Sequence, residues 1–187
     1  MGRVSGESGK GLRMTDSTMT DPWGSPRTKT VTWYDPAALV AAATGMSGLE
    51  FLRAMSEGKV PPAPISSLVA PDWSEMNPEP GKISFSCTVD ESTYNANGLV
   101  HGGLACTLLD TAVGCAVQTT LPAGVGYTSV ELKVNYLRPL RPEAGPLRVV
   151  GRVTKPGRRI TFAEAEIRDA EDALLATASS SCLILGG

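Results

Sequence analysis

The stretch Leu104-Ala-Cys-Thr-Leu-Leu-Asp-Thr-Ala-Val-Gly-Cys-Ala-Val117 decides how this chain folds. It is apolar on nearly every side, so the sequence predicts a buried helix over about residues 102–121 rather than an amphipathic surface helix. Asp110 is the only formally charged residue between Ser92 and Val130. Because a buried carboxylate without a partner is costly, we expect Asp110 to be neutral, paired or used in chemistry.

Segments that alternate between apolar and polar residues flank this helix, as half-buried β-strands do. Just after the helix, apolar residues occupy every second position from Val130 to Tyr136. Further on, the apolar phase slips after Phe162, which predicts a β-bulge there. The predicted strands cover residues 82–90, 129–136, 147–154, 158–168 and 174–185. This order predicts an α+β fold in which an antiparallel sheet wraps around one long central helix.

The first third of the chain is more irregular. Residues 1–30 are rich in Gly, Ser, Thr and Pro and predict a disordered tail. Residues 31–187 predict a single domain with an N-terminal helical extension, because residues 36–58 have helical spacing. After Gly58 the predictions are a short strand over Ile65 to Val69 and a turn over residues 77–81.

Composition narrows the classes of partner. The net charge is -2, so no basic surplus indicates nucleic acid or an anionic membrane as a partner. The longest apolar stretch is too short to span a bilayer, and the first residues lack the apolar core of a signal peptide. The sequence therefore predicts a cytoplasmic protein.

The cysteines do not indicate a metal site. They are far apart and form no CxxC pair, and His101 is the only histidine in the chain. We therefore expect no zinc site and no other metal or redox cofactor. The four cysteines, predicted to be small, reduced core residues, are Cys87, Cys106, Cys115 and Cys182.

His101, Gly102 and Gly103 stand at the start of the predicted helix. The first N–H groups of a helix have no partner, and glycine lets a carbonyl oxygen approach them closely. The helix dipole there favours a developing oxyanion. Asp110 could attack directly or activate water, and Asn95 and His101 could donate hydrogen bonds. Together these groups predict hydrolysis at an activated acyl carbon.

Each of these residues also has a plain structural interpretation. Asn95 and His101 could be ordinary loop residues, and the two glycines could serve packing or capping. An aspartate on a helix is usually solvated. The joint spacing of these residues favours a site.

The spacing also indicates where the site is built. Residues nine apart on a helix are separated by about 13 Å and rotated by about 180°. His101 and Asp110 of one chain can therefore hardly meet. In a two-fold dimer with antiparallel helices, His101 of one chain would face Asp110 of the other. The sequence predicts a site at a subunit interface.

The segment Asn95-Ala-Asn-Gly-Leu-Val-His-Gly-Gly-Leu-Ala-Cys-Thr-Leu-Leu-Asp110 closely resembles the signature of hotdog-fold acyl-CoA thioesterases. The most similar group is the PaaI-type branch of phenylacetate degradation. Its pattern is Asn, Gly three residues on, His three further, Gly-Gly, and an acid nine residues after the His. Every position is matched, residues 126–139 resemble the family's next strand, and the resemblance runs from about Ile83 to Leu185.

This resemblance implies a hotdog fold, a dimer or dimer of dimers, and a role for each site residue. The Gly102 N–H would polarise the thioester carbonyl, with Asn95 assisting. Asp110 of the partner subunit would be the nucleophile or general base. His101 would position the carbonyl or the departing thiolate, and Ser129 matches a position that holds the water in some members.

The CoA part of such a substrate carries phosphates and needs cations nearby. Gly103 is expected to contact the substrate at the helix start. Each candidate cation could equally be an ordinary solvated charge at a strand end. The candidates are Arg138, Arg141, Lys155, Arg158 and Arg159.

Three functions follow from this fold. The first is an acyl-CoA thioesterase. The second is a dehydratase or hydratase, whose His-centred pattern lies on another element and is not matched here. The third is a non-catalytic acyl-CoA binder or sensor, although such a protein would be expected to have lost Asp110. The spacing favours the thioesterase and leaves the acyl group open.

Overall fold

The computed structural model describes residues 22–69 and 71–186. The predicted tail, residues 1–30, lies mostly outside this range and stays a prediction. No helix in the described ranges is long and apolar enough to cross a membrane. The elements are α1 (Pro36–Ala43), α2 (Gly48–Ser56), α3 (Ser66–Val69), β1 (Pro71–Glu79), β2 (Lys82–Cys87), α4 (Gly102–Gln118), β3 (Gly126–Tyr136), β4 (Leu147–Lys155), β5 (Ile160–Arg168) and β6 (Leu174–Leu185).

The strands form one six-stranded sheet in the order β1-β2-β4-β5-β6-β3, and every neighbouring pair is antiparallel. Helix α4 packs on it and contacts β2, β3, β4, β5 and β6. The predicted α+β fold around a long central helix is confirmed. Its core is built from apolar side chains of α4 and the sheet, among them Leu108, Leu109, Val113, Val117, Ile83, Phe85, Leu147, Val149 and Ile167.

Gly151 explains how closely the helix approaches the sheet. A Cβ at this position of β4 would lie 2.2 Å from the carbonyl oxygen of Ala112 in α4. Only glycine leaves room for that backbone contact. Helix α4 therefore lies directly on the middle of the sheet.

The helical spacing predicted over residues 36–58 is confirmed, and the segment forms two helices, α1 and α2. Gly45, with φ of 86°, adopts a left-handed conformation that ends the first helix. Ser47 then caps α2, since its hydroxyl accepts from the Glu50 N–H while the Glu50 carboxylate accepts from the Ser47 N–H.

Helix α2 packs at the C-terminal end of α4. The Gly48 N–H donates to the Leu121 carbonyl at 3.0 Å. A Cβ on Gly48 would lie 1.8 Å from the carbonyl oxygen of Gln118. Within one chain, the helical extension therefore covers the end of α4 that is remote from His101.

One prediction in this region is wrong, because residues predicted as a strand form the short helix α3. The turn predicted over 77–81 is right in part: the turn between β1 and β2 occupies residues 80 and 81, and residues 77–79 are the end of strand β1. Strand β1 was missed because Pro71 and Pro78 argue against a strand. It lies at the edge of the sheet, where missing N–H groups are tolerated.

The predicted β-bulge in β5 is also wrong. Thr161, Ala163, Ala165 and Ile167 all face inward, so the strand alternates without interruption. The apolar phase slips because Phe162 lies on the outer face, where it is 41% exposed. In the two pairings that β5 makes, the extra residues lie in the neighbouring strands β4 and β6.

Candidate active site

The N-terminus of α4 is capped by a histidine. His101 Nδ1 accepts from the Gly103 N–H at 2.8 Å, and the His101 carbonyl accepts from the Leu104 N–H at 3.0 Å. A neutral imidazole whose Nδ1 accepts a hydrogen bond carries its proton on Nε2. The cap thus fixes the tautomer and leaves the Nε2–H as a donor.

The N–H of Gly102 is the donor that this cap leaves unused. No acceptor for it lies within hydrogen-bonding distance among the described residues. It is the first N–H of a 17-residue helix, where the helix dipole is positive. Such a group suits a carbonyl oxygen that gains negative charge.

Asn95 is both a turn residue and a potential donor to the site. Its Oδ1 accepts from the Asn97 N–H at 2.9 Å and the Leu99 N–H at 3.3 Å. Within the described part of the chain, its Nδ2 has no hydrogen-bond partner. The interpretation of Asn95 as a turn residue is therefore right for its side-chain oxygen, whereas its NH₂ group stays available to donate to a ligand.

One cavity of about 480 Å³ brings these groups together. Asn95, His101, Gly102, Gly103 and Arg138 are among the residues that line it. The remaining lining is mostly apolar, and no carboxylate takes part. The cavity therefore offers hydrogen-bond donors and one cation within apolar walls, contributed by Leu99, Val100, Tyr136, Leu137, Pro139 and Leu140.

Asp110 does not line this cavity, as the helix spacing predicted for a single chain. It lies further along α4, on the side that the sheet leaves partly open. Its Oδ1 accepts from the Ser129 hydroxyl at 2.9 Å. Its other oxygen, Oδ2, has no partner among the described side chains and N–H groups.

A β-bulge at Val130 brings Ser129 to Asp110. Ser129 pairs with Cys182 and Glu131 with Ser181, so Val130 is an extra residue in β3. The sequence had placed Val130 with the inward apolar residues, but it is 54% exposed and Ser129 faces the helix instead. Such bulges re-aim side chains beside functional sites.

The groups around Asp110 stay neutral at ordinary pH. Burial raises the pKa of the Cys115 thiol to about 12, and the charge of Asp110 adds to this shift. Burial also raises the pKa of Tyr127 well above its usual value.

The cysteines were predicted to be core residues. Cys182 and Cys87 are buried as predicted, whereas Cys115 and Cys106 are only partly buried residues of α4.

The predicted cations lie in different places. Arg138 donates to the Leu174 carbonyl at 3.0 Å and lines the cavity beside Gly102. Arg158 and Arg159 line a second cavity, of about 1030 Å³, at the C-terminal end of α4. Lys155 ends β4 and Arg141 precedes a 3₁₀ turn, and neither lines the first cavity. Of these five cations, Arg138 alone lines the cavity that His101 lines.

Known proteins are similar to this chain in sequence and in fold. A family model described as thioesterase superfamily matches residues 97–176. A Saccharolobus solfataricus protein named as an esterase is 31% identical over 114 residues, which span 61% of this chain and 79% of that one. Human acyl-coenzyme A thioesterase 13 is 30% identical over 88 residues, which span 47% of this chain and 61% of the human one. This chain thus matches less than two thirds of the human protein.

Among solved structures, the E. coli PaaI protein from the phenylacetic acid degradation operon has the same fold. The two superpose with a TM-score of 0.62 and 20% sequence identity. The superposition covers 75% of this chain and 95% of the E. coli one.

Proposed function

The chain belongs to the thioesterase superfamily and is a thioester hydrolase, and we propose that it hydrolyses an acyl- or aryl-acyl-CoA to the free acid and CoA. The name of the human relative supports CoA as the thiol part of the substrate. We further propose that the protein works in the cytoplasm.

One observation carries this proposal: three donors that have no acceptor among residues 22–69 and 71–186 meet at one cavity. They are the Gly102 N–H, the His101 Nε2–H and the Asn95 NH₂. In the transition state of thioester hydrolysis the carbonyl oxygen becomes an oxyanion, which such donors stabilise. A cavity lining without carboxylates does not oppose that charge.

The carboxylate comes from a second copy of the chain. Strand β3 ends the sheet, so its outer edge is unpaired within one chain. Pairing β3 of two copies about a two-fold axis would bring the open sides of their α4 helices together. Asp110 of the partner subunit would then reach the cavity at Gly102. We propose a homodimer, or a dimer of such dimers, as the active form.

The reaction needs no further group. Asp110 either attacks the carbonyl carbon, giving an acyl-enzyme anhydride that water cleaves, or removes a proton from the attacking water. In the general-base route, Asp110 passes the water's proton to the CoA thiolate as the C–S bond breaks. In the anhydride route, the thiolate leaves as the C–S bond breaks and takes its proton from solvent, and the later attack of water on the anhydride releases the acid and restores the Asp110 carboxylate. The Ser129 hydroxyl holds Asp110 Oδ1 and leaves Oδ2 to react. His101 Nε2–H can donate to the carbonyl or to the departing sulfur.

Cations would bind the CoA phosphates at the mouth of the shared site. A role for Arg138 in binding these phosphates is supported because Arg138 lines the same cavity as Gly102. Lys155, Arg158 and Arg159 lie together where β4 turns into β5. In the antiparallel dimer this turn would approach the site from the subunit that supplies Asp110.

We expect purified protein to release CoA from at least one acyl-CoA. A thiol reagent would detect the product across aromatic and straight-chain acyl groups, and the order of rates would identify the acyl preference. If no thioester turned over while acyl-CoA bound tightly, hydrolysis would be excluded and a binding or sensing role favoured.

Two inactive variants should restore each other if the site is shared. We expect Gly102→Pro and Asp110→Asn, mixed by co-expression, to regain about a quarter of wild-type activity. Half of the dimers are mixed, and one of their two sites keeps both Gly102 and Asp110. Each variant expressed alone is the control. A mixture as inactive as its components would show that the two residues act within one chain.

A further inference from the structure

Tyr136 is an unassigned group at the start of α4. Its hydroxyl donates to the Gly102 carbonyl at 3.1 Å, and its oxygen lies 2.9 Å from the Cys106 sulfur. A Cβ on Gly102 would lie 3.1 to 3.2 Å from the phenol. A phenol has one proton, so when Tyr136 donates it to Gly102 the Cys106 thiol must donate to the phenol.

The hydrogen bond from Tyr136 gives the peptide unit between Gly102 and Gly103 a partner at both ends. The Gly102 carbonyl accepts from the Tyr136 hydroxyl, and the Gly103 N–H donates to His101 Nδ1. Two successive glycines make this turn of backbone unusually free to rotate. Hydrogen bonds at both ends of the peptide unit remove that freedom.

The Gly102 N–H lies in the preceding peptide unit, whose His101 carbonyl accepts from the Leu104 N–H at 3.0 Å. Tyr136 holds the unit on the other side of Gly102, so the two backbone torsions of Gly102 are fixed between two held units and the N–H keeps its direction. We propose that Tyr136 is a positioning residue, which keeps the Gly102 N–H aimed at the thioester carbonyl through its hydrogen bond to the Gly102 carbonyl. This inference rests on the proposed thioesterase function.

Tyr136→Phe removes the hydroxyl and keeps the ring. We expect kcat to fall about fivefold while KM for the best acyl-CoA changes less than twofold, because the lost hydrogen bond orients a donor that matters most in the transition state. Tyr34→Phe, the same change at a 70% exposed tyrosine, is the matched control.

A spectroscopic measurement separates positioning from a merely structural role. We would bind a ketone analogue of acyl-CoA, in which a methylene replaces the sulfur, and record its carbonyl stretch by isotope-edited infrared spectroscopy. A donor aimed at the carbonyl lowers the frequency, so we expect a smaller lowering in Tyr136→Phe than in wild type. An unchanged frequency and kcat, or a change in KM alone, would overturn the proposal.

The same experiment separates this inference from the proposed function. If wild type hydrolysed no thioester, the proposed function would fail. A frequency that still depended on Tyr136 would then support its positioning of Gly102 in a binding protein.

Discussion

We expect Asp110→Ala to lower kcat/KM by about a thousandfold or more, because the variant has no carboxylate to attack the thioester or to take a proton from water. We expect the fold to survive, because Asp110 lies on the partly open side of α4 and, among the described residues, its side chain forms a hydrogen bond with Ser129 alone. Steady-state CoA release and thermal unfolding measure the two effects.

Asp110→Asn separates charge from shape. The amide can still bond to Ser129, so a comparable loss would show that the negative charge is what the reaction needs. Thr111→Ala is the control, because it changes the next residue of α4, whose hydroxyl donates to the Thr107 carbonyl and to no other group in the described part of the chain. Activity near the wild-type level in both Asp110 variants would refute the mechanism.

Gly102→Pro should lower kcat about a hundredfold or more. Proline removes the backbone N–H that has no partner in the cavity, and loss of one oxyanion donor commonly costs that much. The helix should tolerate the change, since proline is favoured at the first helical position and His101 has the extended conformation that proline requires before it.

Gly102→Ala is the matched variant for this test. It adds the same Cβ beside Tyr136 but keeps the N–H. We expect it to retain much more activity than Gly102→Pro when both are compared by kcat and by circular dichroism. If alanine and proline reduced kcat equally, crowding against Tyr136 would explain the loss and the N–H would have no role.

Much of the fold could be predicted because α4 is a long apolar run and the segments that form β2 and β3 alternate between apolar and polar residues. The resemblance to thioesterases is confirmed by the family model and the relatives, and the E. coli PaaI structure confirms the hotdog fold. The failures lie where tertiary context overrides local pattern. Strand β1 tolerates proline only because it is at the edge, and Phe162 is an apolar residue on the outer face.

The candidate site was predictable as a set of residues but not as a set of hydrogen bonds. Spacing alone indicated that His101 and Asp110 do not meet in one chain. It could not show that Gly103 uses His101 Nδ1 and thereby leaves the Gly102 N–H unpartnered. Nor could it identify Tyr136, because a strand residue 34 positions away meets Gly102 only through the fold.

The extra residue in β3 has an evolutionary consequence. Tyr127 and Ser129 face the helix at odd positions, whereas Leu132 and Val134 face it at even ones, and Val130 separates the two sets. A lineage that deleted this single residue would have to give up either the serine beside Asp110 or the packing of the strand's second half. When homologous chains are aligned, a one-residue gap at Val130 therefore indicates that the residue beside Asp110 has changed, and it should not be read as ordinary length variation in a loop.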